Sequence, residues 1–404
     1  MIFKNTKSYL VHGILLGCFA TSYMTSSVLM ENKMLFVAIF LLFWAINRFK
    51  SIKDKKAFTK IMILGIFIGY FLNFLFLYGG QIDYQYSVEQ QAEQEINENA
   101  AILVLPTYPK FYEPKTWKHI ISNSPNYSKI QKKIFSPFIL YKYKKIYKKA
   151  GLDPSTQIAK EFENTIKKSW KNNDGNLYIA YLNQKPLLEE QIIKAIQGGA
   201  TNIGIINILL DQSDQWFQIQ ERVEKVRFYN YNAHVFYNNP FWEEEDLKQA
   251  LVKKIEDATK EKKKSKVGVL LVGSGYTDRA NINVKEADKQ QIAFARDIKN
   301  HLMLRGYENK KTKMAFLNSN QYSIKRSMSE ILDQGISELV VAPIYIPFDN
   351  LYSTIIIPEQ VEKIEIPSSI KVNYVSGWNT HPDFMKAVYR KLDDIYNEKS
   401  PMTK

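Results

Sequence analysis

From Asn99 onward the chain repeats itself, and that duplication restricts the fold more tightly than anything else in the sequence. Residues 101–108 (AILVLPTY) answer residues 267–276 (VGVLLVGSGY). Each is an apolar run with β-branched members that ends at proline or glycine, the pattern of a buried strand entering a loop. A helical segment, a glycine and another buried strand then follow in both halves, as residues 190–211 and residues 327–349. Gly198 and Gly335 stand where helix C-caps are needed before those strands. The third shared unit, residues 233–242 against 372–384, reads as strand, short proline-containing loop and helix. The fold class that follows is α/β: two similar Rossmann-like halves, each with a mainly parallel sheet flanked by helices. Right-handed crossovers place a crevice where the halves meet, at the carboxyl ends of the strands.

The first 80 residues are of another kind. Residues 9–30, 34–49 and 60–79 are apolar runs that approach the ~20 residues a helix needs to span a bilayer. Arg48, Lys50, Lys53, Lys55, Lys56 and Lys60 crowd the second connection, whereas the first holds only Glu31, Asn32 and Lys33. The positive-inside rule puts the second connection in the cytoplasm together with Lys4 and Lys7. Three spans then leave everything after Gly80 outside, in keeping with the acidic stretch 81–99, which has no Lys or Arg. The expectation is an integral protein of a plasma or inner membrane with an extracytoplasmic large domain. The domain plan is 1–80 membrane anchor, 81–256 first half, 257–266 lysine-rich linker and 267–404 second half.

Composition excludes several classes. With 45% hydrophobic and 13% aromatic residues the chain can bury a large core, and its charge of +14 comes from scattered lysines without a nucleic-acid recognition motif, so no nucleic-acid partner is expected. The single cysteine, Cys18, rules out internal disulfides and thiolate metal clusters. His119, His234, His301 and His381 are dispersed, and no metal-ligand set is expected among them. Residues 135–149 interleave aromatic and apolar side chains with lysines. Such a helix either lies on an anionic bilayer, making lipid a partner, or packs its aromatic face on the sheet.

The chemistry concentrates in two loops. The strand of residues 267–273 delivers Ser274 to a glycine-flanked tip, which is how a reactive side chain is commonly presented, yet serine is a poor base alone and no lysine or histidine lies at partner spacing. Residues 147–158, 236–242 and 378–384, in collinear order with the strands, resemble the ferrochelatase and cobaltochelatase superfamily over about residues 100–395. The resemblance implies a cleft for haem or another tetrapyrrole, with a divalent metal such as iron as its cargo. It also implies two functional positions. At the first, the family's histidine is replaced here by Ser274. At the second, where relatives carry His, Glu or both, this chain reads Phe348 to Tyr352, with Asn350 near the histidine and Tyr352 near the glutamate.

Losing a positioned base lowers rates by ~10²–10⁴-fold, which argues against ordinary metal insertion. Asp349 is left as a substitute catalytic base, or as a residue that caps the loop. Ser274, Tyr276, Tyr345, Asn350 and Tyr352 are the expected tetrapyrrole-binding residues, and the three tyrosines offer a phenolate to ferric haem or simply pack. Three functions follow in order: a tetrapyrrole-binding relative of the chelatases, an active chelatase using Asp349, and a non-catalytic scaffold of a membrane complex.

Overall fold

The computed structural model describes residues 2–78, 98–124, 127–170, 176–260, 263–275, 282–319 and 322–397. Three helices of 24 residues open the chain: α1 (Ile2–Thr25), α2 (Val28–Ser51) and α3 (Lys55–Tyr78). At 1.5 Å per residue each is about 36 Å long. Where the sequence suggests three spans, two helices among the described residues, α2 and α3, are long and apolar enough to cross a membrane, each with a mean hydropathy of 1.8. They leave Phe36, Phe40, Phe43, Phe67 and Leu75 exposed. Between α1 and α3 the backbones approach closely at Gly13, Gly17, Gly65 and Gly69. A Cβ on Gly13 would stand 2.7 Å from the Met62 carbonyl oxygen, and one on Gly65 2.6 Å from that of Leu10. Two small-xxx-small motifs thus face each other, the device that lets apolar helices pack without a hydrophobic drive.

The chain forms two compact units that do not follow its sequence order. One contains Met1–Gln85, Phe111–Asn123 and Tyr127–Leu152, and the other contains Tyr86–Lys110, Ser124–Asn126 and Asp153–Lys404. In the first unit α1 to α3 are joined by α4 (Pro114–Asn123), α5 (Lys129–Lys133) and α6 (Ser136–Ala150). The basic aromatic segment is α6, and it packs on helices rather than on a sheet. Its Tyr143 ring stacks on Trp117 of α4 at 3.8 Å, and the Tyr141 hydroxyl lies 3.0 Å from that of Tyr23 in α1. Lys144 is wholly buried, 3.7 Å from Glu31 of α2, and Lys148 pairs with the same carboxylate.

The second unit holds two four-stranded sheets. Strands β1 (Asn99–Leu105), β2 (Asn176–Tyr181), β3 (Asn202–Asn207) and β4 (His234–Tyr237) lie in the order β2-β1-β3-β4. Strands β5 (Val267–Gly273), β6 (Thr312–Phe316), β7 (Glu338–Pro343) and β8 (Lys371–Tyr374) repeat it as β6-β5-β7-β8. Every pairing is parallel, so the duplication read from sequence is a duplication of topology. The crossover helices are α7 (Ser155–Ser169), α8 (Leu188–Gln197) and α9 (Asp214–Lys225) in the first half, and α11 (Ile282–Leu304), α12 (Ile324–Leu332) and α13 (Ile357–Glu362) in the second. After α8 the left-handed residue is Gly199, one place beyond Gly198, and after α12 it is Gly335.

Period-two alternation sorts the core. Ala101, Leu103 and Leu105 of β1 face a core shared with Val267, Val269 and Leu271 of β5, while Ala100, Ile102 and Val104 face α8 and α9. Each half also lends its last helix to the other. The helix α14 (Pro382–Asn397), at the end of the second half, packs on β1 and β3 of the first, where Ile395 occupies the space a Cβ at Gly204 would need. The first half ends in α10 (Glu245–Ala258), which packs against β7. The two halves therefore share one hydrophobic interior.

Candidate functional site

The loop after β5 is shaped by its glycines. Gly273 is buried, and a Cβ there would stand 2.5 Å from the side-chain oxygen of Gln291, while Gly275 has φ +60°, a left-handed conformation that favours glycine. Between them Ser274 is half-buried and held at both ends by one amide. Its backbone N–H donates to Gln291 Oε1 at 3.0 Å, and its Oγ accepts from Gln291 Nε2 at 2.8 Å. The same Nε2 donates to Asp211 Oδ2 at 2.5 Å. Asp211 belongs to the loop after β3 and Gln291 to α11, so the amide joins a carboxyl of the first half to the strand end of the second. Next to it, Gln212 N donates to Gln290 Oε1 at 2.8 Å, a second tie across the same seam.

Asp211 is 4% exposed, and its carboxyl is pushed up to about 7. Burial is the main cause, helped by the Asp288 charge, while hydrogen bonds from Gln291 and Ser213 pull the other way. The group therefore changes protonation near neutral pH. The sequence reading did not single it out, although the signal was present: Asp211 and Asp349 close the two copies of the same repeated segment.

Asp349 has a different environment. Its Oδ1 accepts from Gly377 N at 2.7 Å, its Oδ2 accepts from Asn379 Nδ2 at 2.8 Å, and its own N–H donates to Asn379 Oδ1 at 2.9 Å. Both carboxylate oxygens thus fasten this loop to the one after β8. Asn350 is buried, and its Oδ1 accepts from Tyr352 N at 2.8 Å, which starts the π-helical turn Tyr352–Ile356. Between them Leu351 N donates to Asp153 Oδ2 at 3.0 Å, and Asp153 Oδ1 accepts from Ser155 N at 2.8 Å. Burial pushes the Asp153 carboxyl up against those hydrogen bonds.

Tyr352 is half-buried with its ring 5.8 Å from that of Tyr108, in the loop after β1 of the first half. Tyr108 N in turn donates to Ser155 Oγ at 3.0 Å, and Thr156 Oγ1 donates to the Tyr108 carbonyl at 3.0 Å. Tyr345 packs between the shared core and the outer core of the second sheet. Tyr276 lies outside the described residues. The sequence-derived positions therefore divide: Ser274 joins Gln291 and Asp211, Asn350 and Tyr352 join Tyr108 and Asp153, and Asp349 is tied to the loop after β8. Tyr108, Asp153, Asp211 and Gln291 were the ones missed. Among the described residues no three His, Cys, Asp or Glu side chains converge to hold a metal ion. His381 accepts from Asp383 N at 3.3 Å at the start of α14.

No protein-family model matches the chain, and no curated protein matches it. Solved structures do. SirB from Bacillus subtilis, determined with Fe3+, superposes with a TM-score of 0.50 at 17% identity, covering 74% of this chain and 96% of SirB. The sirohydrochlorin chelatase SirB from Bacillus subtilis subspecies spizizenii, in complex with cobalt, gives 0.48 at 16% identity over 75% and 97%. A multi-domain protein from Deinococcus radiodurans described as similar to chelatases gives 0.44 at 10% over 73% and 55%. At these identities the likeness is one of fold. With two parallel sheets of matching order, the chain has the two-half chelatase fold behind a set of N-terminal helices.

Proposed function

We propose that this protein is membrane-anchored and binds haem or a related tetrapyrrole between the two halves of its chelatase fold, without the family's imidazole and carboxylate chemistry. The observation that carries this reading is the use of the polar groups in the loop after β7. Asp349 holds Gly377 and Asn379, Asn350 holds its own turn, and Asp153 holds Leu351, which leaves the Tyr108 and Tyr352 rings side by side at the strand ends. Adjacent aromatic faces suit a flat macrocycle, and phenol oxygen is a known ligand of ferric haem. The exposed apolar faces of α2 and α3 support the anchor, and the lysine-rich connection between them supports an extracytoplasmic domain.

Metal insertion is the second reading, and one observation favours it: Asp211, titrating at about 7, reaches Ser274 through a single amide. In that case Asp211, rather than Asp349, takes the pyrrole protons. The test is to titrate the full chain in detergent with haemin, and separately with protoporphyrin plus zinc or ferrous ion. A saturable shift of the haem absorption bands that weakens in Tyr352→Phe, with no metalloporphyrin formed above background, supports binding alone. Metalloporphyrin formation abolished by Asp211→Asn selects the chelatase. Affinity for neither haemin nor protoporphyrin overturns both. A reporter fused after Gly80 tests the orientation, and cytoplasmic activity would contradict it.

A further inference from the structure

A groove of about 490 Å³ opens on the second half, along the outer edge of β6, and none of its lining residues belongs to the site described above. Its apolar lining is formed by Leu271, Ile292, Ala295 and Met314. Its walls are cationic: Arg296 and Lys299 project from α11, Lys313 from β6 and Arg326 from α12, against one carboxylate, Glu330. Glu330 is shared between Lys313 at 2.9 Å and Arg326 at 3.2 Å. The Lys299 ammonium is destabilised by partial burial and by the neighbouring Lys313 charge. Four cations against a single carboxylate beside apolar lining are unfavourable in the empty groove and favourable once an anion enters.

We propose that this groove binds a small amphipathic dianion, a flat apolar body carrying two acidic groups. The apolar lining takes the body and the two cationic walls take the acids. An added peptide strand is the wrong occupant, because the edge is already closed from within: Phe316 N donates to the Tyr322 carbonyl at 2.7 Å, and Ser327 Oγ donates to the Met314 carbonyl at 2.8 Å. The spread of cations over α11, β6 and α12 also means that the site exists only in the folded second half.

The probe is 4,4′-biphenyldicarboxylate, with the neutral biphenyl diamide as comparator, followed by saturation-transfer NMR and calorimetry on the full chain in detergent. The dianion binds saturably and the diamide does not. The double variant R296E/K299E, with Arg296 exposed and Lys299 half-buried, weakens binding by roughly tenfold or more, equivalent to ~1.4 kcal/mol. The opposite change, Glu330→Gln, frees Lys313 and Arg326 and strengthens binding severalfold, a gain that structural damage cannot mimic. Equal affinity for the dianion and the diamide, indifference to R296E/K299E, or weaker binding in Glu330→Gln would each overturn the proposal. Binding of the biphenyl dianion stays unchanged in Tyr352→Phe, whose side chain does not line this groove, so this test is independent of the tetrapyrrole reading.

Discussion

Asp211 offers a test that reads stability rather than turnover. Its carboxyl rises from an ordinary 3.8 to about 7 on folding. At ~1.4 kcal/mol per pH unit, that rise corresponds to roughly 4 kcal/mol of preference for the neutral acid in the folded chain. The sign follows from proton counting. Below pH 3.8 folded and unfolded chains both carry the proton, so the stability is fully present. Between 3.8 and about 7 the unfolded chain ionises while the folded chain keeps its proton, and stability falls as pH rises. Above about 7 both are ionised and the loss is complete. Asp211→Asn keeps an oxygen able to accept from Gln291 Nε2 but cannot ionise. Denaturant midpoints of the full chain between pH 4 and 9 should therefore diverge, with the Asn variant gaining up to roughly 4 kcal/mol on the native protein by pH 8. Titrating groups that do not interact with Asp211 cancel in this comparison. Parallel profiles for the two proteins would refute the reasoning, because they would mean that Asp211 ionises alike in both states.

Gly69→Val drives a side chain into the backbone of Ile14 and should lower the thermal midpoint of the helical unit by about 1–3 kcal/mol equivalent, read by circular dichroism in detergent. Asn379→Ala strips Asp349 of one donor and its N–H of its acceptor, and a loss of about 1–3 kcal/mol in the denaturation midpoint is expected. Ile395→Ala empties a buried contact over Gly204 and should destabilise by about 2–5 kcal/mol. Hydrogen exchange should show the effect in β1 and β3 of the opposite half.

The duplicated, mainly parallel α/β plan was legible because it depends on local pattern: apolar runs of strand length, each followed by a helix and a glycine, permit few arrangements once crossovers are right-handed. The helix exchange was not legible, since the contact of Ile395 with Gly204 joins positions far apart in the chain and has no sequence signature. The same limit applies to the site. Ser274 was found because glycines mark its turn, whereas Gln291 carries no charge and sits in an otherwise ordinary amphipathic helix. Asp211 looks like any acidic loop residue until desolvation is known, and desolvation is a property of the assembled halves. Asp349 reads in sequence either as base or as loop cap, because the partners to which it provides acceptors, Gly377 and Asn379, lie in a loop distant in the chain. The docking of α6 on Tyr23 and Glu31 was hidden for the same reason, because helical amphipathicity says which face is buried but not against what.

The order in which the chain visits its two compact units has a mechanical consequence. It leaves the helical unit at Gln85, lays down β1, returns as Phe111–Asn123 and Tyr127–Leu152, and departs for good at Asp153. A single cut between residues 79 and 97 therefore releases nothing, because α4 to α6 still moor the larger unit through covalent chain on either side. The Lys148–Glu31 and Tyr141–Tyr23 contacts then act as a non-covalent clasp between the severed pieces. A chain cut once in this interval should co-migrate as two fragments until denaturant opens the clasp, so the helical unit is joined to the rest of the chain by a stitch rather than by a leash.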